Sequence, residues 1–186
     1  AKFKADPITT VEGLLGVDLP NDQIEAIVEA VKAKVTLEKA GDLMGGLGGL
    51  LGAGFHHTLH FVTHLRSQNT WLIFLLPAAG LLSVGIYTLF RQRSNRGTNQ
   101  IIDAVLSGEE VSPLVAPTIF LATATTHLFG GSAGREGAAL QIGASNATLI
   151  SRGLRLEARD RRVFIMSGMS AVFAALFGTP MTANLL

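Results

Sequence analysis

The chain has 186 residues, 48% of them hydrophobic and 16% charged, with 21 glycines and a net charge of +1. With a positive mean hydropathy, this composition departs from that of water-soluble domains and places the chain among membrane proteins. The near-neutral charge and sparse aromatics exclude a nucleic-acid-binding field, and the absence of cysteine excludes disulfides, thiolate metal sites and cysteine nucleophiles.

The first ten residues, AKFKADPITT, hold no apolar signal-peptide core, so an insertion signal is expected from an internal segment. Residues 1 to 40 read as one short and one longer amphipathic helix, soluble or interfacial. Asp6-Pro7 and Leu19-Pro20-Asn21-Asp22 are helix-start signals. Ile24, Ile27, Val28, Val31 and Val35 recur at helical spacing, with Glu25, Glu29, Lys32 and Lys34 between them. DPITTVEGLLGVDLP also resembles the acidic helical leaders of ribosomally made peptides, and the following GDLMGGLGGLL offers double glycines of the kind where such leaders are cut. That resemblance implies a recognition module for a processing or export partner. The plainer reading of the same residues is an amphipathic preface to a membrane domain.

Charge-free windows then follow. Leu43 to Leu65 is 23 residues without Asp, Glu, Lys or Arg, and Thr70 to Phe90 is 21. Each is long enough to cross a bilayer core as a helix. Val111 to Gly134 contains two prolines and a Gly-Gly pair, and is expected to form a helix that stops within the membrane. Gly137 to Ser151, only 15 residues, is a candidate broken or re-entrant helix. The last window runs from Val163 to the end with Pro180 near its close.

Arg91, Arg93 and Arg96 follow the second window, whereas the link before it carries only Arg66. The positive-inside rule puts residues 91 to 96 in the cytoplasm and 66 to 69 outside. Arg152, Arg155, Arg159, Arg161 and Arg162 precede the last window, and the side of this second cluster stays open at the level of sequence.

Within these windows, His56, His60 and His64 recur at i, i+4, i+8 beside His57. A polar stripe against another helix or the interface is preferred to a metal site, because no Cys or carboxylate accompanies them. Gly45 with Gly49, and Gly48 with Gly52, are small-xxx-small steps that predict tight helix packing. His127 is read as a packing residue rather than a proton relay. Ser170 lacks the turn of a catalytic serine, so no enzyme is expected. No cofactor and no metal are expected either.

The stretch GGSAGREGAALQIGAS, residues 130 to 145, carries the sharpest signal. Its glycines open a helix whose free N–H groups and dipole favour an anion, and a broken membrane helix is a common means of aiming that end inward. Glu136 supplies a carboxylate there. An intramembrane ionisable group costs about 2.5 to 3.5 kcal/mol and points to function by default. The alternative is an Arg135 to Glu136 ion pair that pins the loop, but adjacent residues rarely face one another on a helix.

GGSAGREGAALQIGA resembles the signature of the CLC chloride channels and proton-coupled anion antiporters, GxxGREGP followed by QIG. LLPAAGLLSVGIY upstream and ARDRRVFIMSGMSAVFAALFGTPMTA downstream resemble neighbouring helices of the family in the family's order. The resemblance implies an all-α polytopic membrane fold, with residues 43–186 as the first of two inverted repeats containing broken or re-entrant helices, preceded by the 1–40 segment. It implies multi-pass residence in the cell membrane and transport of fluoride or chloride against protons, by a homodimer or with a missing second half.

By the same resemblance Glu136 is the gate. Deprotonated, it occupies an anion site; protonated, it swings aside. Gly97, Thr98, Asn99, Gly134, Arg135, Gly137 and Ala138 match the anion-binding loops. Two departures from the chloride pattern, Ala138 in place of proline and Gly97-Thr98-Asn99-Gln100-Ile101 in place of GSGIP, are similar to the fluoride-exporting branch. Fluoride, small and strongly hydrated, needs strong donors in place of its water. The pore residue is Thr98, or Asn99 if the alignment shifts by one. Without the second repeat, the chain is expected not to transport efficiently alone, and a nonconducting fragment or chimera is the alternative reading.

Overall fold

The computed structural model describes residues 21–91, 97–107 and 111–179, with side chains from residue 38 onward. All regular structure among the described residues is helical: α1 (Asn21–Gln68), a 3-10 turn (Thr70–Leu75), α2 (Leu76–Leu89), α3 (Thr98–Ser107), α4 (Val115–Leu128), α5 (Arg135–Gly153) and α6 (Ala158–Phe177). The all-α expectation holds. The short helix expected near Asp6-Pro7, most of the leader-like stretch, Arg93, Arg96 and Pro180 lie outside the described residues.

The chain divides into two compact units, residues 1–40 and 41–186. α1 is one helix of 48 residues. No proline interrupts Asn21 to Gln68. Each glycine there costs only about 1 kcal/mol of helix propensity, which weakens a helix without ending it. Among the described residues, only Thr70–Leu89 is long and apolar enough to cross a membrane by length and composition. The Leu43 to Leu65 window is charge-free, but its glycines and histidines dilute its apolar character.

The second unit is built on small residues. α5 and α6 form an antiparallel hairpin crossing at Gly143 and Gly168, where a Cβ on Gly143 would run into the Gly168 carbonyl oxygen. A Cβ on Gly168 would stand 2.6 Å from Ala147 Cβ and 3.2 Å from Met44 Cε. On α1, the Gly48 and Gly52 step meets Ala171 and Ala175 of α6, at 2.9 and 2.6 Å from the added Cβ. Gly45 and Gly49 have open space. The small-xxx-small reading therefore describes one of the two pairs. Close backbone approach maximises dispersion contact, the main cohesive force between helices in lipid. Around it Phe55, Leu59, Ile142, Ile165 and Val172 are buried.

α4, with 14 residues, rises only about 21 Å and stops short of a ~30 Å hydrocarbon core, as expected. It ends in Gly130 at φ +86, with Gly131 N–H donating to Thr126 O at 2.8 Å, a Schellman closure that requires a left-handed residue. Its other end is capped from a different helix. Ser145 Oγ on α5 accepts from Ala116 N–H (3.2 Å) and donates to Ser112 O (2.9 Å).

These contacts fix direction. A Cβ on Gly131, just past the C-terminus of α4, would lie 3.3 Å from Leu76 at the start of α2, so α2 and α4 run antiparallel. Ser145 at the start of α4 makes α4 and α5 antiparallel too. α2 and α5 therefore point the same way, and Arg91 shares an end of the unit with the 152–162 arginines. Arg66, 3.4 Å from the added Cβ on Gly130, stands at the opposite end.

Candidate anion-binding site

α5 begins at Arg135 with Gly134 as N-cap, extended at φ −67, ψ 115, and no side chain caps it. The first backbone bond into the helix is Ala138 N–H to Gly134 O at 3.3 Å. The amides of Arg135, Glu136 and Gly137 therefore have no acceptor within the helix, and the positive end of its dipole is unclothed by side chains. Arg135 and Glu136 are exposed, and no ion pair joins them among the described residues.

The second expected loop arrives at the same place. Gly97, at φ +67, turns the chain into α3, and Gln100 N–H closes back on Gly97 O at 3.2 Å. Thr98 Oγ1 lies 2.7 Å from where a Cβ on Gly137 would stand. Two helix N-termini thus meet with a hydroxyl on one and a bare glycine on the other. Glycine at 137 is what allows the hydroxyl in, since any side chain there would take its place.

Thr98 is half-buried against α5, whereas Asn99 is exposed. Ala138 is buried, and its amide is already bonded to Gly134 O. It shapes the helix start and offers no donor to a ligand. The donors gathered at this end are the amides of residues 135 to 137 and the Thr98 hydroxyl, a set suited to a small anion.

Gln141 was not among the residues expected here. It is buried, and its Nε2 donates to Gly137 O at 3.2 Å. This bond braces the glycine that faces Thr98. Its Oε1, like that of Gln100, is buried without a hydrogen bond among the described residues. The QIG of the motif carried the signal, read only as part of a resemblance.

The remaining polar groups lie apart from this junction in role. His127 Nδ1 is 2.9 Å from Thr123 O on its own helix. His56, His57, His60 and His64 are exposed along α1, and no group of three or more His, Cys, Asp or Glu is placed to hold a metal among the described residues.

Residues 79–186 match the voltage gated chloride channel family. A chloride/fluoride channel protein of Pseudomonas syringae pv. tomato is 40% identical over 145 residues, covering 77% of this chain and 32% of the relative. An H(+)/Cl(-) exchange transporter ClcA of Vibrio vulnificus is 24% identical over 180 residues, covering 89% of this chain and 38% of the relative. The crystal structure of a CLC-type fluoride/proton antiporter superposes with a TM-score of 0.73 at 31% identity, over 90% of this chain and 40% of that one. The chain thus spans roughly a third to two fifths of the length of these relatives, and the helical order, the GREG helix start and the family match agree: it belongs to the voltage gated chloride channel family.

Proposed function

We propose that this chain forms the first half of a multi-pass membrane transporter that moves fluoride in exchange for protons, with Glu136 as gate. The observation that carries the reading is the meeting of the uncapped α5 N-terminus with Thr98 at Gly137. An anion accepted by the amides of residues 135 to 137 and by the Thr98 hydroxyl occupies the position that a Glu136 carboxylate would also favour. Competition for that position couples the two ions: the carboxylate leaves when protonated, and the anion enters.

Fluoride is preferred over chloride on two grounds. The donors are hydroxyl and backbone N–H, strong enough to replace fluoride's water. The chloride/fluoride channel relative and the fluoride/proton antiporter are also 40% and 31% identical to this chain, against 24% for the chloride exchanger. Gly97, Gly134, Arg135 and Asn99 flank the site, Arg135 as a fixed positive charge beside the entry. The work done is ion movement rather than bond chemistry. Residues 43–186 form the membrane domain, residues 1–40 an amphipathic preface, and the working unit is a homodimer of chains completed by a second half. Arg91 and the 152–162 cluster face the cytoplasm and Arg66 the outside, following the positive-inside rule.

The test is paired fluoride and proton flux from liposomes, with this segment joined to a second half. In Glu136→Gln, fluoride movement persists or rises while proton coupling disappears. Unchanged coupling in that variant removes Glu136 from the mechanism. Chloride-selective flux keeps the gate and removes the fluoride assignment.

A further inference from the structure

Two residues other than glycine have positive φ among the described residues, and both are arginines that follow helix ends: Arg91 at +56 and Arg155 at +53. Arg155 closes α5 in a Schellman arrangement, with Leu156 N–H donating to Ser151 O at 3.0 Å and Arg155 N–H to Arg152 O at 3.1 Å. Glycine fits that position without cost, while a side chain costs about 1 to 2 kcal/mol. Next to it, Arg159 and Arg162 lie in the first turns of α6, the end of a helix where the macrodipole disfavours a cation. Arg161 serves the corner itself, donating from Nη2 to Leu156 O at 3.3 Å. Arg155, Arg159 and Arg162 are exposed, so helix stability does not account for their placement.

Their neighbours are apolar and equally exposed. Leu149 is 56% exposed one turn before Arg152, Val163 is 52% exposed directly after Arg162, and Leu89 is 78% exposed two residues before Arg91. At three helix ends on the same end of the unit, an exposed apolar side chain gives way to an arginine within a turn. That is the profile of a boundary between hydrocarbon and headgroup.

We infer that the α5–α6 corner, through Arg155, Arg159 and Arg162 and with Arg91 at the same end, is a binding site for the phosphates of anionic lipid headgroups in the cytoplasmic leaflet. A guanidinium takes a phosphate as a bidentate fork, and cations at this level are attracted by the negative surface of that leaflet. Glu157 and Asp160 are the acids on this corner, and they leave it positive. The inference rests on the membrane placement proposed above, but not on fluoride or on Glu136.

The experiment places the full chain in phosphatidylcholine nanodiscs containing spin-labelled phosphatidylglycerol or spin-labelled phosphatidylcholine, and reads the motionally restricted fraction. Phosphatidylglycerol is expected to associate severalfold more strongly, with the preference shrinking as salt rises. Arg155→Gly keeps the backbone that φ +53 requires and removes only the guanidinium, so the preference should fall partway toward parity with the fold intact. The combined Arg155→Gly, Arg159→Gln, Arg162→Gln variant should show none. Equal restriction of the two lipids in the parent, or an unchanged preference in the variants, overturns the site while leaving the membrane reading standing. Displacement of the bound lipid by inorganic phosphate or by polyglutamate overturns the lipid assignment in favour of a soluble anion or acidic segment. Failure of the parent to enter nanodiscs overturns the membrane reading itself, and this inference with it.

Discussion

Thr98 and Gly137 test the site at the finest scale because each exists in relation to the other. A methyl on Gly137 would stand 2.7 Å from Thr98 Oγ1, far inside van der Waals contact, so Gly137→Ala must move the hydroxyl. Overpacking of this kind typically costs about 1 to 3 kcal/mol. Thr98→Ala removes the obstructing oxygen, so the double variant should recover much of the stability lost in Gly137→Ala. Thermal unfolding of the four proteins in one detergent gives the coupling, expected at about 0.5 to 3 kcal/mol. Strict additivity would mean that the two residues do not touch. The transport readout divides differently: with the segment in a completed transporter, both single variants and the double should lose fluoride flux, since Gly137→Ala displaces the hydroxyl from the junction and Thr98→Ala removes it. The structure sets Thr98 beside Gly137 and leaves Glu136 exposed; sequence reasoning named all three through the family resemblance. It did not reach Gln141, whose role is a bond to Gly137 O four residues back, and which as a polar residue on a helix announces nothing until its burial is known.

Among the elements, α4 depends most on a neighbour. It has no side-chain cap of its own, and the Ser145 hydroxyl of α5 serves its N-terminus from 29 residues away in sequence. Ser145→Ala leaves the buried Ala116 amide without that hydroxyl partner, while the part-buried Ser112 carbonyl keeps the Val115 amide. The expected loss is about 1 to 3 kcal/mol, seen as a lower unfolding midpoint in detergent, and Ser145→Thr should lose less because it retains the hydroxyl. A midpoint unchanged by the alanine substitution would mean that water replaces the hydroxyl and that α4 is held by packing alone. No local pattern could have revealed this bond, because serine near the middle of a helix has no sequence signature of the partner it meets. The Gly-Gly pair at 130 and 131, by contrast, was readable as the end of α4, since a left-handed closure calls for glycine. Of the two glycine pairs expected to pack tightly, Gly48 with Gly52 meets a neighbouring helix and Gly45 with Gly49 does not, and Gly143 with Gly168 adds a close approach that the spacing did not announce.

For the molecule as a whole, the arginines and the helix directions make one joint statement about sidedness. Charge asymmetry alone oriented the Thr70 to Phe90 window and left the 152–162 cluster undecided, because a short helix and a possible re-entrant one lay between. The backbone settles the count of reversals: α2 and α5 are parallel, each antiparallel to α4, so the ends of α2 and α5 lie together, away from Arg66. Ser67 is exposed at the Arg66 end, and Ala158 is exposed at the other. The chain has no cysteine, so Ser67→Cys and Ala158→Cys each introduce a single thiol without a background to remove. In intact cells, an impermeant maleimide should label Ser67→Cys and leave Ala158→Cys unlabelled until the membrane is opened. Ser94→Cys, between Arg93 and Arg96, should behave as Ala158→Cys does. Labelling of both Ser67→Cys and Ala158→Cys from outside would contradict the parallel arrangement of α2 and α5 within a bilayer. Labelling of Ala158→Cys and Ser94→Cys together from outside, with Ser67→Cys protected, would keep that arrangement and invert the whole domain. The arginine corner would then face the outer leaflet, against the positive-inside rule.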